Sequence, residues 1–137
     1  MGAVTSNFVN PNGLPDENHY TSVYDLYLIF QNAVKDPRFL DIISTLSYTA
    51  AFTNAKGESV ERSWENTNYY LNGKETAPEG ITVIGGKTGT TNAAGYCLVL
   101  LSYNSSNQPI VSIVLKADGR HNLYLLMNEM LQGFANL

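Results

Sequence analysis

A chain of 137 residues is the size of one domain, and 44% hydrophobic with 15% charged residues describes a folded protein rather than a disordered one. A net charge of −4, with the eight basic residues scattered, excludes the basic stripe that a nucleic-acid binder needs. The single cysteine, Cys97, excludes an internal disulfide; His19 and His121 stand too far apart for metal-ligand spacing, and no apolar run reaches membrane-spanning length.

The segment from Asn7 to Tyr20, "NFVNPNGLPDENHY", reads as loop, because Asn-Pro, Asn-Gly and Leu-Pro are turn chemistry. A helix follows over "TSVYDLYLIFQNAVKDP". Thr21 is the expected N-cap, and Asp25 is expected in the early turns, where a negative charge suits the helix dipole. Val23, Leu26, Tyr27, Phe30 and Val34 fall at helical spacing on one face. Pro37 stops that helix, and "RFLDIISTL" reads as a second, shorter one. "YTAAFTNAKGESVERSW" has β-rich flanks around Asn54-Ala55-Lys56-Gly57 and reads as a hairpin. "ENTNYYLNGKETAPEG" is loop with some extended character. Ile81 to Gly86 is expected to be a strand running into Lys87-Thr88-Gly89. "AGYCLVLLSYN" is a strand buried on both faces, "SSNQ" a turn and "PIVSIVLKA" the partner strand. "HNLYLLMNEMLQGF" closes the order as an amphipathic helix with Leu123, Leu126, Met127, Met130 and Leu131 on one side. Cys97, inside an apolar run, is expected to be buried and inert.

The chemistry concentrates at Lys87-Thr88-Gly89-Thr90-Thr91. A lysine on a strand between two small residues can project its ammonium toward a ligand carboxylate. Thr88 and Thr90 add hydroxyls that hold a carboxylate or pass a proton. Gly89 has no side chain, so a second backbone can approach, as in β-addition of a peptide. The Thr90 N–H is then a candidate oxyanion donor. Three residues alone are weak, since a lysine on an exposed strand is ordinarily a solvated side chain.

The surrounding segments strengthen that signal. "FVNPNGLPDENHYTSVYDLYLI", "NTNYYL", "GGKTGTTNAAGYCLVLLSYN" and "GRH" before an apolar helix occur in this order. Together they resemble the C-terminal half of the serine-type D-alanyl-D-alanine carboxypeptidases, the low-molecular-weight penicillin-binding proteins, over Thr5 to Phe134. The resemblance implies an α+β fold, part of a β-lactamase/transpeptidase-like domain, with about three antiparallel main strands packed with helices plus a small hairpin, all in one domain over residues 1–137. It implies catalytic roles for Lys87, Thr88 and Gly89 and substrate contacts from Thr90, Thr91 and Arg120, with no cofactor and no metal. Arg120 matches an arginine often found after the family's last strand; a surface charge at a helix start accounts for it equally well. The partners implied are the D-Ala-D-Ala end of a peptidoglycan stem peptide and β-lactams, outside the cytoplasm at the cell envelope. Met1-Gly2-Ala3 is an abrupt start, so the lack of a signal sequence says little about the compartment.

The family's other two motifs, S-x-x-K and S-x-N, are not found where they belong. The residues three before Lys35, Lys56, Lys74, Lys87 and Lys116 are Asn32, Thr53, Leu71, Ile84 and Ile113. Ser102-Tyr103-Asn104 and Ser105-Ser106-Asn107 follow the K-T-G, at a hairpin turn, and turn chemistry accounts for them. The chain is therefore expected to be inactive alone, with Lys87 serving a serine that it does not carry. The competing expectation is a non-catalytic module that grips cell-wall peptides. A β-lactamase half fits less well, because "NAAGYCLVLL" resembles the carboxypeptidase branch. With only three main strands, "PIVSIVLKA" is expected to be an unpaired edge and a surface for homodimerisation. Packing and hydrogen bonding account for His19 better than general-base catalysis, capping for Asp25 and solvated turns for Asp16, Glu17, Glu58 and Glu61 better than paired carboxylates. Tyr69, Tyr70, Tyr96, Tyr103 and Trp64 can line a ligand groove, but core or half-buried packing accounts for most of them.

Overall fold

The computed structural model describes residues 2–137; Met1 lies outside them. In chain order the elements are α1 (Val23–Ala33), α2 (Pro37–Ser44), β1 (Ser47–Thr53), β2 (Ser59–Glu65), β3 (Thr82–Thr91), β4 (Gly95–Tyr103), β5 (Pro109–Ala117) and α3 (Arg120–Phe134). Two antiparallel sheets result, β1–β2 and β3–β4–β5, so the mixed α+β class with three main strands and a hairpin holds. Among the described residues no helix is long and apolar enough to cross a membrane.

The three-stranded sheet is the middle layer. Along β4, Leu98 and Leu100 point to one face and Val99 and Leu101 to the other, as strand alternation requires, and all four are buried. Leu98 and Leu100 pack with Leu123, Tyr124, Met127 and Leu131 of α3, while Val99 and Leu101 pack with Phe30 of α1 and Ile43 of α2. A strand covered on both faces must be apolar throughout, which explains the unbroken run in "CLVLL".

Local expectations shift in informative ways. Ser22, not Thr21, caps α1: its hydroxyl accepts from the Asp25 N–H, while Thr21 shares a hydrogen bond with Ser6. Asp25 sits in the first turn, as the dipole argument requires, but is also buried. Its carboxylate accepts from the Thr5 N–H at 2.8 Å, the Thr5 hydroxyl at 2.9 Å and the Ser6 hydroxyl at 2.6 Å. Those bonds, Ser6's first, hold its pKa below the ordinary carboxylate value. One buried acid thus ties the first residues to α1. Pro37 opens α2 at its first turn, where its missing N–H costs nothing, and Asp36 caps it. Val23 and Leu126 are exposed rather than on the packed faces of their helices; Tyr124 takes a core place on α3. The 66–81 segment is a series of hydrogen-bonded turns rather than extended chain. β5 is an edge strand, and so is β3.

Two glycines make the sheet fit its neighbours. A Cβ on Gly85 would stand 2.6 Å from the Ile43 carbonyl oxygen of α2, and one on Gly86 would meet the Val99 carbonyl of β4. These, and not Gly89, are the positions where backbone approaches the strand within this chain.

Candidate active-site groove

β3 does not end before the lysine. It continues through Lys87-Thr88-Gly89 to Thr91, paired with β4 in the register Lys87↔Val99, Gly89↔Cys97 and Thr91↔Gly95. Because β3 is an edge, its outer side carries no strand partner among the described residues. A groove of about 730 Å³ runs beside this stretch. It is lined by all six residues singled out in the sequence: Lys87, Thr88, Gly89, Thr90, Thr91 and, from the first turn of α3, Arg120. Residues 33 positions apart in sequence, Lys87 and Arg120, are thus brought to one cavity by the sheet.

Gly89 has no heavy atom within 4 Å of where a Cβ would stand. The space beside it is open to the groove. Lys87 is exposed, and its ammonium donates to the Thr88 carbonyl. The Thr88 hydroxyl shares a 2.6 Å hydrogen bond with the Thr67 hydroxyl, which comes from the "NTN" segment. Thr67 is a site neighbour that motif reading passed over; its signal was its place in "NTNYYL", but nothing in the sequence says that this loop folds onto the strand. The Thr91 hydroxyl accepts from the Ala94 N–H and fixes the turn into β4.

Arg120 is exposed yet well held. Its Nη1 donates to the Tyr69 hydroxyl at 2.6 Å, and its guanidinium lies 5.2 Å from the Tyr69 ring centre and 5.6 Å from that of Tyr96. The Tyr69 hydroxyl raises its pKa further. Tyr69 and Tyr96 line the groove, whereas Tyr70 and Tyr103 are half-buried and Trp64 is exposed on the hairpin. Tyr96 reaches the groove beside a bulge: opposite β4 the register slips between Tyr96↔Ala117 and Leu98↔Val114, and Lys116 takes φ 60° there. A bulge bends a strand and re-aims its side chains. Cys97 sits at this bulge, half-buried rather than buried; its sulfur accepts from the Lys116 N–H at 3.5 Å and it also lines the groove.

Electrostatically the groove is positive. Lys74, Lys87 and Arg120 line it against one acid, Glu65, and no ion pair forms among them. Among the described residues, no cluster of three His, Cys, Asp or Glu side chains could hold a metal ion. His19 accepts from the Val9 N–H at 3.1 Å and packs edge-on to Phe8, a structural role.

Comparison with known proteins finds relatives in sequence and in fold. The chain is 31% identical over 141 aligned residues to the D-alanyl-D-alanine carboxypeptidase DacA of Haemophilus influenzae, covering 99% of this chain and 32% of that protein. It is 29% identical to the D-alanyl-D-alanine carboxypeptidase DacF of Bacillus subtilis, covering 86% and 28%. A crystallised single-residue mutant of a Streptomyces DD-transpeptidase superimposes with a TM-score of 0.83 at 27% identity, over 98% of this chain and 50% of that one. The chain thus spans about a third of the length of its curated relatives. The D-alanyl-D-alanine carboxypeptidase family profile matches residues 1–119, and with most of the sequence and the fold in agreement the chain belongs to that family.

Proposed function

We propose that this chain is the K-T-G-bearing part of a serine D-Ala-D-Ala carboxypeptidase, and that its groove receives the C-terminal end of a peptidoglycan stem peptide. The observation that carries this reading is the cavity beside Lys87–Thr91, positive and open at Gly89. A peptide laid along the free edge of β3 gains main-chain hydrogen bonds, and its terminal carboxylate meets Lys87, Thr88, Thr90 and Arg120. Thr91 holds the end of the strand in place. The Thr90 N–H faces the scissile carbonyl as an oxyanion donor.

Hydrolysis in this class needs a serine that attacks the D-Ala–D-Ala carbonyl, breaks the peptide bond with release of the terminal D-alanine to form an acyl-enzyme, and is freed by water; β-lactams acylate the same serine by opening their ring amide. No serine stands three before any lysine here, and no S-x-N precedes the K-T-G in its family position. By itself the chain then binds and does not cut. The whole protein works outside the cytoplasm, at the cell envelope. The unpartnered edge of β5 pairs either with strands of the remaining domain or with a second copy; a monomeric mass by light scattering removes the second option.

Intact mass after incubation with a labelled penicillin tests this. No adduct on the 137-residue chain, and an adduct once a polypeptide carrying S-x-x-K is supplied, is the expected result. A stoichiometric adduct on the chain alone means that it contains its own nucleophile and overturns the reading.

A further inference from the structure

We propose that Tyr69 is a positioning residue for the groove: it holds the Arg120 guanidinium where a ligand carboxylate can meet it. The inference rests on the reading of the groove as a receptor for a carboxylate-ended peptide.

Arg120 begins α3 and is exposed, so an unrestrained guanidinium there samples many rotamers and loses entropy whenever it binds. Here it is restrained on two sides. Tyr69 accepts from it at 2.6 Å, and the rings of Tyr69 and Tyr96 lie 5.2 and 5.6 Å away. A guanidinium has five donors, and the Tyr69 hydroxyl uses one. The others remain for a planar anion.

Tyr69 can act as a fixed post because it is itself fastened to the core. Its ring stacks on Tyr124 at 5.1 Å with planes 6° apart, and its N–H donates to the Tyr124 hydroxyl at 2.8 Å. Tyr124 is 3% exposed and packs from α3 into the core cluster that holds Leu98 and Leu100 of β4. Two residues earlier on the same turn, Thr67 grips the Thr88 hydroxyl at 2.6 Å. One turn therefore braces both sides of the groove, the K-T-G strand through Thr67 and the α3 cation through Tyr69. The position is not predictable from either element alone, since 51 residues separate Tyr69 from Arg120.

The test compares Tyr69→Phe with Tyr69→Leu and Arg120→Gln, using two probes: an N-acetylated peptide ending in D-Ala-D-Ala with a free carboxylate, and its C-terminal amide. Affinities come from calorimetry, and the Arg120 Nε–H is followed by NMR, assigned through Arg120→Gln. Tyr69→Phe keeps the stacked ring and removes only the hydroxyl. It is expected to leave the melting temperature within a degree or two, to narrow the Arg120 signal toward that of a free arginine, and to weaken the carboxylate probe about tenfold, the scale of one hydrogen bond to a charged group. The amide probe should lose little. Tyr69→Leu should match or exceed that loss. An unchanged ratio of carboxylate to amide affinity in Tyr69→Phe, with Arg120→Gln reducing it, overturns the role of Tyr69 while leaving the groove reading intact. If the unaltered chain binds neither probe, or both equally, the groove reading fails and the positioning role falls with it.

Discussion

The two sheets of this protein are both antiparallel and reach opposite outcomes. β1 and β2 each run seven residues in perfect antiparallel register, with Tyr48, Phe52, Val60 and Trp64 among them, yet only Ala50 and Val60 are even half-buried. β3, β4 and β5 hold a core because helices cover both faces: α3 on one, α1 and α2 on the other. The hairpin has pairing without a second layer. Its base is closed where the Asn66 N–H donates to the Leu46 carbonyl and its side-chain amide to the Thr45 carbonyl, at 2.8 and 2.7 Å. Strand pairing supplies order, and burial supplies stability; a two-stranded sheet without a packed face is marginal. The same contrast separates the edges of the main sheet, for β3 borders a polar groove and β5 an apolar one lined by Ile110, Val111, Ile113 and Phe134.

The sharpest way to break the contrast is to hollow out the layered sheet. Leu100→Ala, at a position with no exposure, is expected to cost about 3 kcal/mol in denaturant unfolding, the range for a buried leucine. Gly85→Ala comes next. Its Cβ meets a backbone carbonyl of α2 that cannot swing away, and a loss of about 2 kcal/mol is expected. Gly89→Ala, four residues along the same strand, should leave the unfolding midpoint unchanged while weakening the carboxylate peptide, because its methyl enters open groove. Equal destabilisation by the two alanines would show that the groove is not open at Gly89. Lys87→Ala should weaken that peptide about tenfold and leave stability alone, since the side chain is exposed and makes no ion pair.

Acid exposes a smaller difference. Asp25 has a folded pKa below its unfolded value of 3.8, so its contribution to stability is complete above that pH and is lost as pH falls through the lower, folded value. Asp36, held down by Arg38, titrates in the same direction. Stability of Asp25→Asn should therefore fall less steeply below pH 3.8 than that of the unaltered chain, and amide exchange at Thr5 should be faster at neutral pH. Parallel curves would mean that the Thr5 and Ser6 bonds add nothing. The smallest effect is expected on the hairpin: Trp64→Ala, half exposed, should change global stability by less than about 0.5 kcal/mol. A loss comparable to Leu100→Ala would show that the hairpin is packed after all.

Much of this was legible from residues alone. The order of elements follows from period and turn chemistry, because "CLVLL" fits a doubly covered strand and "NAKG" between β-rich flanks fits a turn. The K-T-G stretch stood out because a lysine and three threonines interrupt apolar strands. What could not be read were contacts between distant segments. Ser22 replaced Thr21 as cap because Thr21 was drawn to Ser6, and Asp25 was buried because Thr5 and Ser6 fold back onto it. Cys97 came out half-buried because a bulge at Lys116 opens the ladder beside it.

The sequence by itself determined the local periods, the turns and the family to which the chain belongs. The periods and turns lie within a few residues of one another and depend on backbone geometry and side-chain type, and the family shows in the order of segments along the chain. Only the tertiary structure decided which glycine packs and which stays open, and that a tyrosine 51 residues away holds Arg120 beside the lysine strand. Those outcomes depend on how layers stack in space, and chain order does not encode that distance.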